Sequence, residues 1–218
     1  MKQNKFFITG VLVEETLEMK GASGNFPVLN ASVSTGEKFY TFEKTRDEAL
    51  LYDAMFSGMN AGDRVRVGLT LTGRRKADGT AFTFFELDSL APDHSGTNSA
   101  GGLLTGIVGP VSTREWNGQT ISTPTLHVLI ADRDGVVPGA TVEIEVPYEG
   151  RDAAKADWAQ NEGRYAEIQV SLDARNTEAG RSYPKFKATK ISFYDAPAYA
   201  AEILGLSEPA ASEYADAI

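Results

Sequence analysis

Two aromatic residues and five cations hold most of the chemistry in the first half of the chain. Tyr40 and Phe42 are two residues apart, so on an extended strand they share a face. Arg64 and Arg66 alternate on a later segment, and Arg74-Arg75-Lys76 crowd a turn that closes on Asp78-Gly79. Flat aromatic faces stack on unpaired bases at roughly 1–3 kcal/mol per base, and cations neutralise phosphates. Phe39 falls on the face opposite Tyr40 and Phe42. One of these two sets packs inside, and the alternation fits either assignment. Three consecutive cations at a hairpin tip repel one another unless an anion visits or water screens them.

The second half offers a parallel set. Arg175, Arg181, Tyr183, Lys185 and Lys187 form a second basic stripe with an aromatic in it. Trp116 stands beside Asn117-Gly118, a turn signal. A Trp there either meets a ligand or packs on the body of the fold. Trp158 lies in a short helical segment and reads as core. Glu143 and Glu145 fall on the outward face of a strand, where they would repel phosphate. The second half is therefore expected to be a weaker nucleic-acid binder or a domain for protein contacts.

Catalytic chemistry is poorly represented. There is no Cys, and His94 and His127 lack partners at metal-ligand spacing. Nucleophile-elbow, phosphate-loop and His-Glu-x-x-His patterns are missing. The expectation is a binding protein without catalytic residues, metal or cofactor.

The net charge of −9 is unfavourable for nucleic acid as a total, but its distribution matters more. Residues 1–91 hold 11 basic and 12 acidic side chains, and residues 103–200 hold 10 and 13. Residues 201–218 hold four acids and no base. Two near-neutral halves with an acidic tail still allow basic stripes. No apolar run approaches membrane-spanning length. The start, Met1-Lys2-Gln3-Asn4-Lys5, is followed by apolar residues and then Glu14-Glu15, and it reads as a first strand rather than a secretory signal. The lack of Cys suits a cytoplasmic location.

These residues must be positioned by short strands, and the chain says the same thing twice. Phe7-Ile8-Thr9-Gly10-Val11-Leu12-Val13 echoes Leu104-Thr105-Gly106-Ile107-Val108, and each half closes on Ala-Pro. The offset drifts from 96 to 105 residues, so loops differ while the order of elements holds. In the first half the strands are expected at Phe6–Val13, Phe26–Ser34, Lys38–Glu43, Arg64–Thr72 and Ala81–Leu90. Thr45–Met59 reads as a helix, with Thr45 and Glu48 as a capping box. The second half repeats this with strands at Leu103–Ser112, Ile121–Ala131, Thr141–Tyr148, Arg164–Leu172 and Pro184–Tyr194, and a short helix at Asp152–Gln160. The order β-β-β-α-β-β is that of a five-stranded OB barrel.

Three stretches of the first half resemble the OB domain of bacterial and phage single-stranded-DNA-binding proteins. They are Asn4 to Leu12, Val28 to Ser34, and Gly62-Asp63-Arg64-Val65-Arg66-Val67 through Gly73-Arg74-Arg75 to Asp78-Gly79. The second half matches mainly by its order of elements. The expected fold is mainly β: two tandem five-stranded OB-fold barrels, each with a short helix between strands 3 and 4. The first domain spans 1–91, a flexible linker 92–102, the second domain 103–197, and a short helix with a disordered acidic tail 198–218.

The resemblance implies sequence-independent binding and protection of single-stranded DNA in replication, recombination or repair, in a bacterial or phage-infected cell. It also implies a homodimer that assembles four barrels, and replication or recombination proteins as partners of the tail. Family members often carry Trp at the strand-3 and hairpin positions, where this chain has Phe39, Tyr40 and Phe42, and no aromatic at the tip. Two alternatives remain open: an OB-fold adaptor of a phage or mobile-element assembly acting through protein contacts, and an RNA binder.

Overall fold

A computed structural model describes residues 4–21, 24–75, 81–116, 119–132, 135–146, 156–176 and 182–195. Its elements run in the order β1 (Lys5–Lys20), β2 (Phe26–Ser34), β3 (Phe39–Thr45), α1 (Asp47–Phe56), β4 (Arg64–Arg75), β5 (Ala81–Pro92), β6 (Ser99–Trp116), β7 (Gln119–Asp132), β8 (Gly135–Glu145), a 3-10 turn at Ala159–Asn161, β9 (Tyr165–Asn176) and β10 (Ser182–Tyr194). The first half adopts the expected β-β-β-α-β-β order and closes on itself. β1 pairs with β2, β2 with β3, β3 in parallel with β5, β5 with β4, and β4 with β1.

Closure depends on one long bent strand. Lys5–Val11 pairs with β4, and the chain then bulges between Leu12 and Glu14 before its second part pairs with β2. A bulge adds a residue and sharpens the twist, so one strand can serve two neighbours. This is why β1 runs to Lys20 rather than ending at Val13. Beyond the bulge the residues are mostly exposed, and the core-facing alternation fades from the sequence.

The echo between the halves has a steric cause. A Cβ on Gly10 would sit 2.2 Å from the Ser34 carbonyl oxygen, and one on Gly106 would sit 2.3 Å from that of His127. Each glycine lets the bent strand press against the next one. A second duplicated device stands opposite. Gly62 and Gly163, with φ of 100° and 81°, donate their N–H groups to the carbonyls of Leu12 and Val108. In the second half β6 pairs with β7, β7 with β8, β8 in parallel with β10, β10 with β9, and β9 with β6.

The helix starts later than expected. Thr45 is still paired with Val28 in β3, and Arg46 makes the turn at φ 64° with no side-chain cap. Glu48, the expected second half of the capping box, instead reaches Lys44 at 2.6 Å. Of the second expected helix, Asp152–Gln160, residues 152–155 lie outside the described residues. Its described part is helical only in the 3-10 turn at Ala159–Asn161. Trp158 is buried at the start of that turn and meets Phe193 edge-on at 5.6 Å, as a core residue should.

Much of the expected linker is structured. Ser99–Gly102 opens β6 and pairs with Thr9–Phe6 of β1, so the two halves share one ten-stranded sheet. Gly101 and Gly102 read as flexible in the sequence, but they are places of close approach: a Cβ on Gly102 would lie 2.3 Å from the Lys5 carbonyl oxygen. Buried Asn4 accepts hydrogen bonds from the Thr105 N–H and hydroxyl across the same seam. Phe6, Phe85 and Phe186 meet edge-on or tilted, with ring centroids 5.3–6.5 Å apart, and the buried apolar side chains form one continuous cluster through both halves.

Candidate nucleic-acid interface

The two outward hairpins are built alike. On β4–β5, Leu71 faces Phe85 and Arg74 faces Phe82; on β9–β10, Leu172 faces Phe186 and Arg175 faces Tyr183. All four residue pairs obey one offset of 101. Phe85 and Phe186 point into the core, and the alternation then turns Phe82 and Phe84, and Tyr183 and Lys185, outward. Tyr183 is 51% exposed and Phe82 36%, with the Phe84 ring 5.9 Å from that of Phe82. Each hairpin therefore places an arginine across the ladder from an exposed aromatic. The side chains of Arg74 and Arg75 and all of Lys76 and Arg181 lie outside the described residues. The strand β4 itself runs on to Arg75, three residues past its expected end.

Phe82 and Phe84 are not among the expected site residues. A signal for them exists: Phe82-Thr83-Phe84-Phe85 mixes a period-two pair with one core position. Once Phe85 is assigned to the core beside Leu87, Phe82 and Phe84 must face out.

Other expected contacts are placed differently. Tyr40 and Phe42 are both 4% exposed, so they form the inward set of β3. The Tyr40 hydroxyl donates to the Leu172 carbonyl at 3.1 Å, and burial pushes its phenol above its ordinary value. Both rings pack in the core cluster, and Phe42 also contributes to the lining of the cleft between the hairpins and β1–β2–β3. Arg64 is committed to the connection between the halves: Nε donates to Asp93, one terminal nitrogen to Asn98, and the other to the Thr97 carbonyl at 2.8 Å. It pins residues 93–98 rather than offering a phosphate site.

Arg66 is exposed and lies over the Phe7 ring at 5.8 Å on the β1–β4 face, away from the aromatic hairpins. Lys187 is held by Asp173 at 2.7 Å. Arg175 and Lys185 remain exposed. The backbone of Trp116 ends β6 opposite Gln119; its side chain and the Asn117-Gly118 turn lie outside the described residues. Glu143 and Glu145 are exposed, as expected of an outward strand face.

Between the hairpins and the outer face of β1–β2–β3 runs a cleft of about 360 Å³. Phe84, Tyr183 and Pro184 line it, and Thr16, Asn30 and Thr41 contribute polar groups. This is a concave surface with aromatic walls beside strand-borne cations, the shape that stacking of unpaired bases needs.

Comparison with solved structures agrees with this architecture. The wild-type single-stranded DNA binding protein from Thermus aquaticus superposes with a TM-score of 0.61 at 14% identity, over 89% of this chain and 94% of that one. A deletion mutant of the same protein gives 0.61 at 15% identity, over 91% and 99%. The chain shares their fold. No protein-family model matches, and no curated protein matches. Among the described residues, no helix is long and apolar enough to cross a membrane.

Proposed function

We propose that the chain is a binding protein for single-stranded DNA, built as two OB barrels in tandem. The observation that carries this reading is the repeated hairpin, in which Arg74 faces Phe82 and Arg175 faces Tyr183. The ring of strand pairings in each half and the duplicated glycines support the tandem organisation. Stacking tolerates any base and phosphate contacts ignore sequence, so binding spans many sequences. Protection of single strands in replication, recombination or repair, in a bacterial or phage-infected cytoplasm, is the role such binding serves. A homodimer would set four barrels side by side, and the acidic segment at 207–218 would contact partner proteins. The reading is of a binder rather than an enzyme, in keeping with the DNA-binding proteins it resembles in fold.

Fluorescence anisotropy with labelled oligo-dT, oligo-U and duplex of equal length, at two salt concentrations, tests it. Oligo-dT should bind more tightly than duplex, with affinity falling as salt rises. Absence of single-strand binding at about 50 mM salt, a condition that favours phosphate contacts, would overturn the proposal.

A further inference from the structure

Helix α1 is apolar on the side that faces solvent. Its inner face is Ala49 and Phe56, both buried, with Tyr52 half-buried between them, and it packs on β1, β2 and β3. On the opposite side Leu50, Leu51, Ala54 and Met55 fall together, because residues one and four apart are neighbours on a helix surface. All four are exposed, Leu51 at 61% and Leu50 at 47%. A helix lying on a globular body normally carries polar residues there. In α1 the polar residues are at the edges of the stripe, and they are acids. At 3.6 residues per turn Glu48 flanks one side, Asp53 the other, and Asp47 stands at the N-terminal end. The helix has no base.

Leu50–Ala54 and Leu51–Met55 make two rows of four-residue spacing with a groove between them, the relief that a ridge of a second helix enters. Ala54 lets the two backbones come close, and Met55 adapts to what it meets. The charge around the stripe is negative. Lys44 is buried and shared between Glu48 and Glu86. Asp53 stands beside Glu15 of β1, and burial together with that neighbour holds the Glu15 carboxyl above its ordinary 4.5. Arg46, just before the helix, is the exposed base at this end, against Asp47, Glu48, Asp53 and Glu15. A second copy of α1 would set acids against acids.

The stripe is also remote from the cleft. Glu14 and Thr16 line the cleft, whereas Glu15 between them turns to α1 on the other face of the strand. A ligand on α1 and a strand in the cleft do not compete for surface. We propose that the Leu50/Leu51/Ala54/Met55 face of α1 is a docking site for an amphipathic helix of a partner protein that carries lysine or arginine beside its apolar face. The assignment goes beyond the single-stranded DNA reading and does not depend on it.

The probe is a labelled peptide of roughly 18 residues, five helical turns, with leucines on one face and lysines on the other. In fluorescence anisotropy at low salt it should bind at least about tenfold more tightly than two controls. One control has Glu in place of every Lys, and the other has the same composition with the leucines dispersed around the helix. Leu51→Glu/Met55→Glu should weaken binding at least about tenfold by removing apolar contact, even though it adds two negative charges. Both positions are exposed and Glu is a good helix former, so the fold should stand. Leu51→Ala/Met55→Ala, which leaves the charge unchanged, should weaken it about threefold or more. Asp47→Asn/Asp53→Asn should cost about two- to threefold at low salt and nothing at high salt. Oligo-dT affinity, measured without peptide, should stay within about twofold in the double Glu variant, because the charges lie beyond screening distance.

Peptide binding that is unchanged or tighter in the double Glu variant would reduce the contact to charge attraction and overturn the proposal. Equal binding of either control, or no binding of the probe, overturns it too. So does a wild-type dimer in light scattering that becomes a monomer in the double Glu variant, since α1 would then face a second copy. Loss of oligo-dT affinity in that variant would place α1 in the DNA interface and overturn the assignment to a protein. Failure of the wild-type protein to bind oligo-dT, with the probe bound as expected, overturns the DNA reading and upholds this one.

Discussion

Arg175 lies directly opposite Tyr183 across β9 and β10, in the same register that sets Arg74 opposite Phe82 across β4 and β5. Opposed residues on one face of an antiparallel pair are close enough to act together. A strand lying along either hairpin could place a phosphate on the arginine and the adjoining base on the ring. Tyr183→Ala and Phe82→Ala should each cost roughly 1–3 kcal/mol of single-strand affinity by anisotropy. Tyr183 is exposed, so its removal should leave the melting temperature within a degree or two, as small surface changes do. Unchanged affinity in both variants would remove the hairpins from the interface.

The basic tip is tested by salt. Replacing Arg74, Arg75 and Lys76 together by Ala should flatten the dependence of binding on log salt by up to about three charges. The equivalent change at Arg175 and Lys185 should remove up to about two. A slope that stays constant in both variants means that phosphates run elsewhere.

Arg64 should behave in the opposite way. Its guanidinium ties Asp93, Thr97 and Asn98 into place next to the start of β6. Arg64→Ala should cost about 1–2 kcal/mol in urea unfolding, since charged hydrogen bonds to a structured loop are lost. Affinity and salt slope should hardly move. A loss of one full charge from the salt slope would instead return Arg64 to the interface.

Much of this arrangement is legible in the sequence. β2 matches its expected bounds although it is buried on both faces and alternates imperfectly; β4 begins where alternation begins, because one of its faces is buried and the period of two survives. The repeat is visible through Thr9-Gly10 and Thr105-Gly106, whose glycines are fixed by contact with a neighbouring backbone. The failures share a physical cause. Whether Tyr40 or Phe39 faces inward depends on where β3 sits in the closed ring, which alternation alone leaves undecided. Gly101-Gly102 has the composition of a linker, and only the β1–β6 pairing shows that the glycines are there for close approach. Arg64 resembles a phosphate ligand in the sequence because its acceptors, at 93–98, come from a loop with the composition of a free one.

The Asp173–Lys187 pair gives a pH signature. The hydrogen bond from Lys187, acting against some desolvation, holds Asp173 below its ordinary 3.8. The folded protein thus binds fewer protons than the unfolded chain near that pH, and stability from the pair is complete above about 3.8 and lost as pH falls through the lower folded value. Lys187 is raised above its ordinary 10.5 by the same bond, so on the alkaline side the contribution is complete below about 10.5 and fades above it. Urea midpoints between about pH 3 and pH 6 should show a smaller acid-side loss in Asp173→Asn than in wild type. The difference should be about 0.5–1 kcal/mol, because both groups are partly exposed. Parallel curves would show that the pair adds nothing.

The continuous core makes a claim about folding. Two barrels joined by a flexible tether would unfold separately, each with its own stability. Here β1 and β6 pair across the seam, Phe186 of β10 packs against Phe6 and Phe85 of the first half, and the Tyr40 hydroxyl reaches Leu172. Although the first half closes its ring with its own strands, parting the halves would expose Phe6, Phe85 and Phe186, so the chain should unfold in one cooperative step. Both tryptophans, Trp116 and Trp158, lie in the second half, so their emission reports that half while far-ultraviolet circular dichroism reports the whole sheet. The two urea curves should coincide. Phe186→Ala removes a buried ring at the seam and should shift both curves together, by about 3–5 kcal/mol. A dichroism transition that persists after tryptophan emission has finished changing would mean that the first half stands alone. The seam would then be a docking contact between separate domains rather than part of a single core.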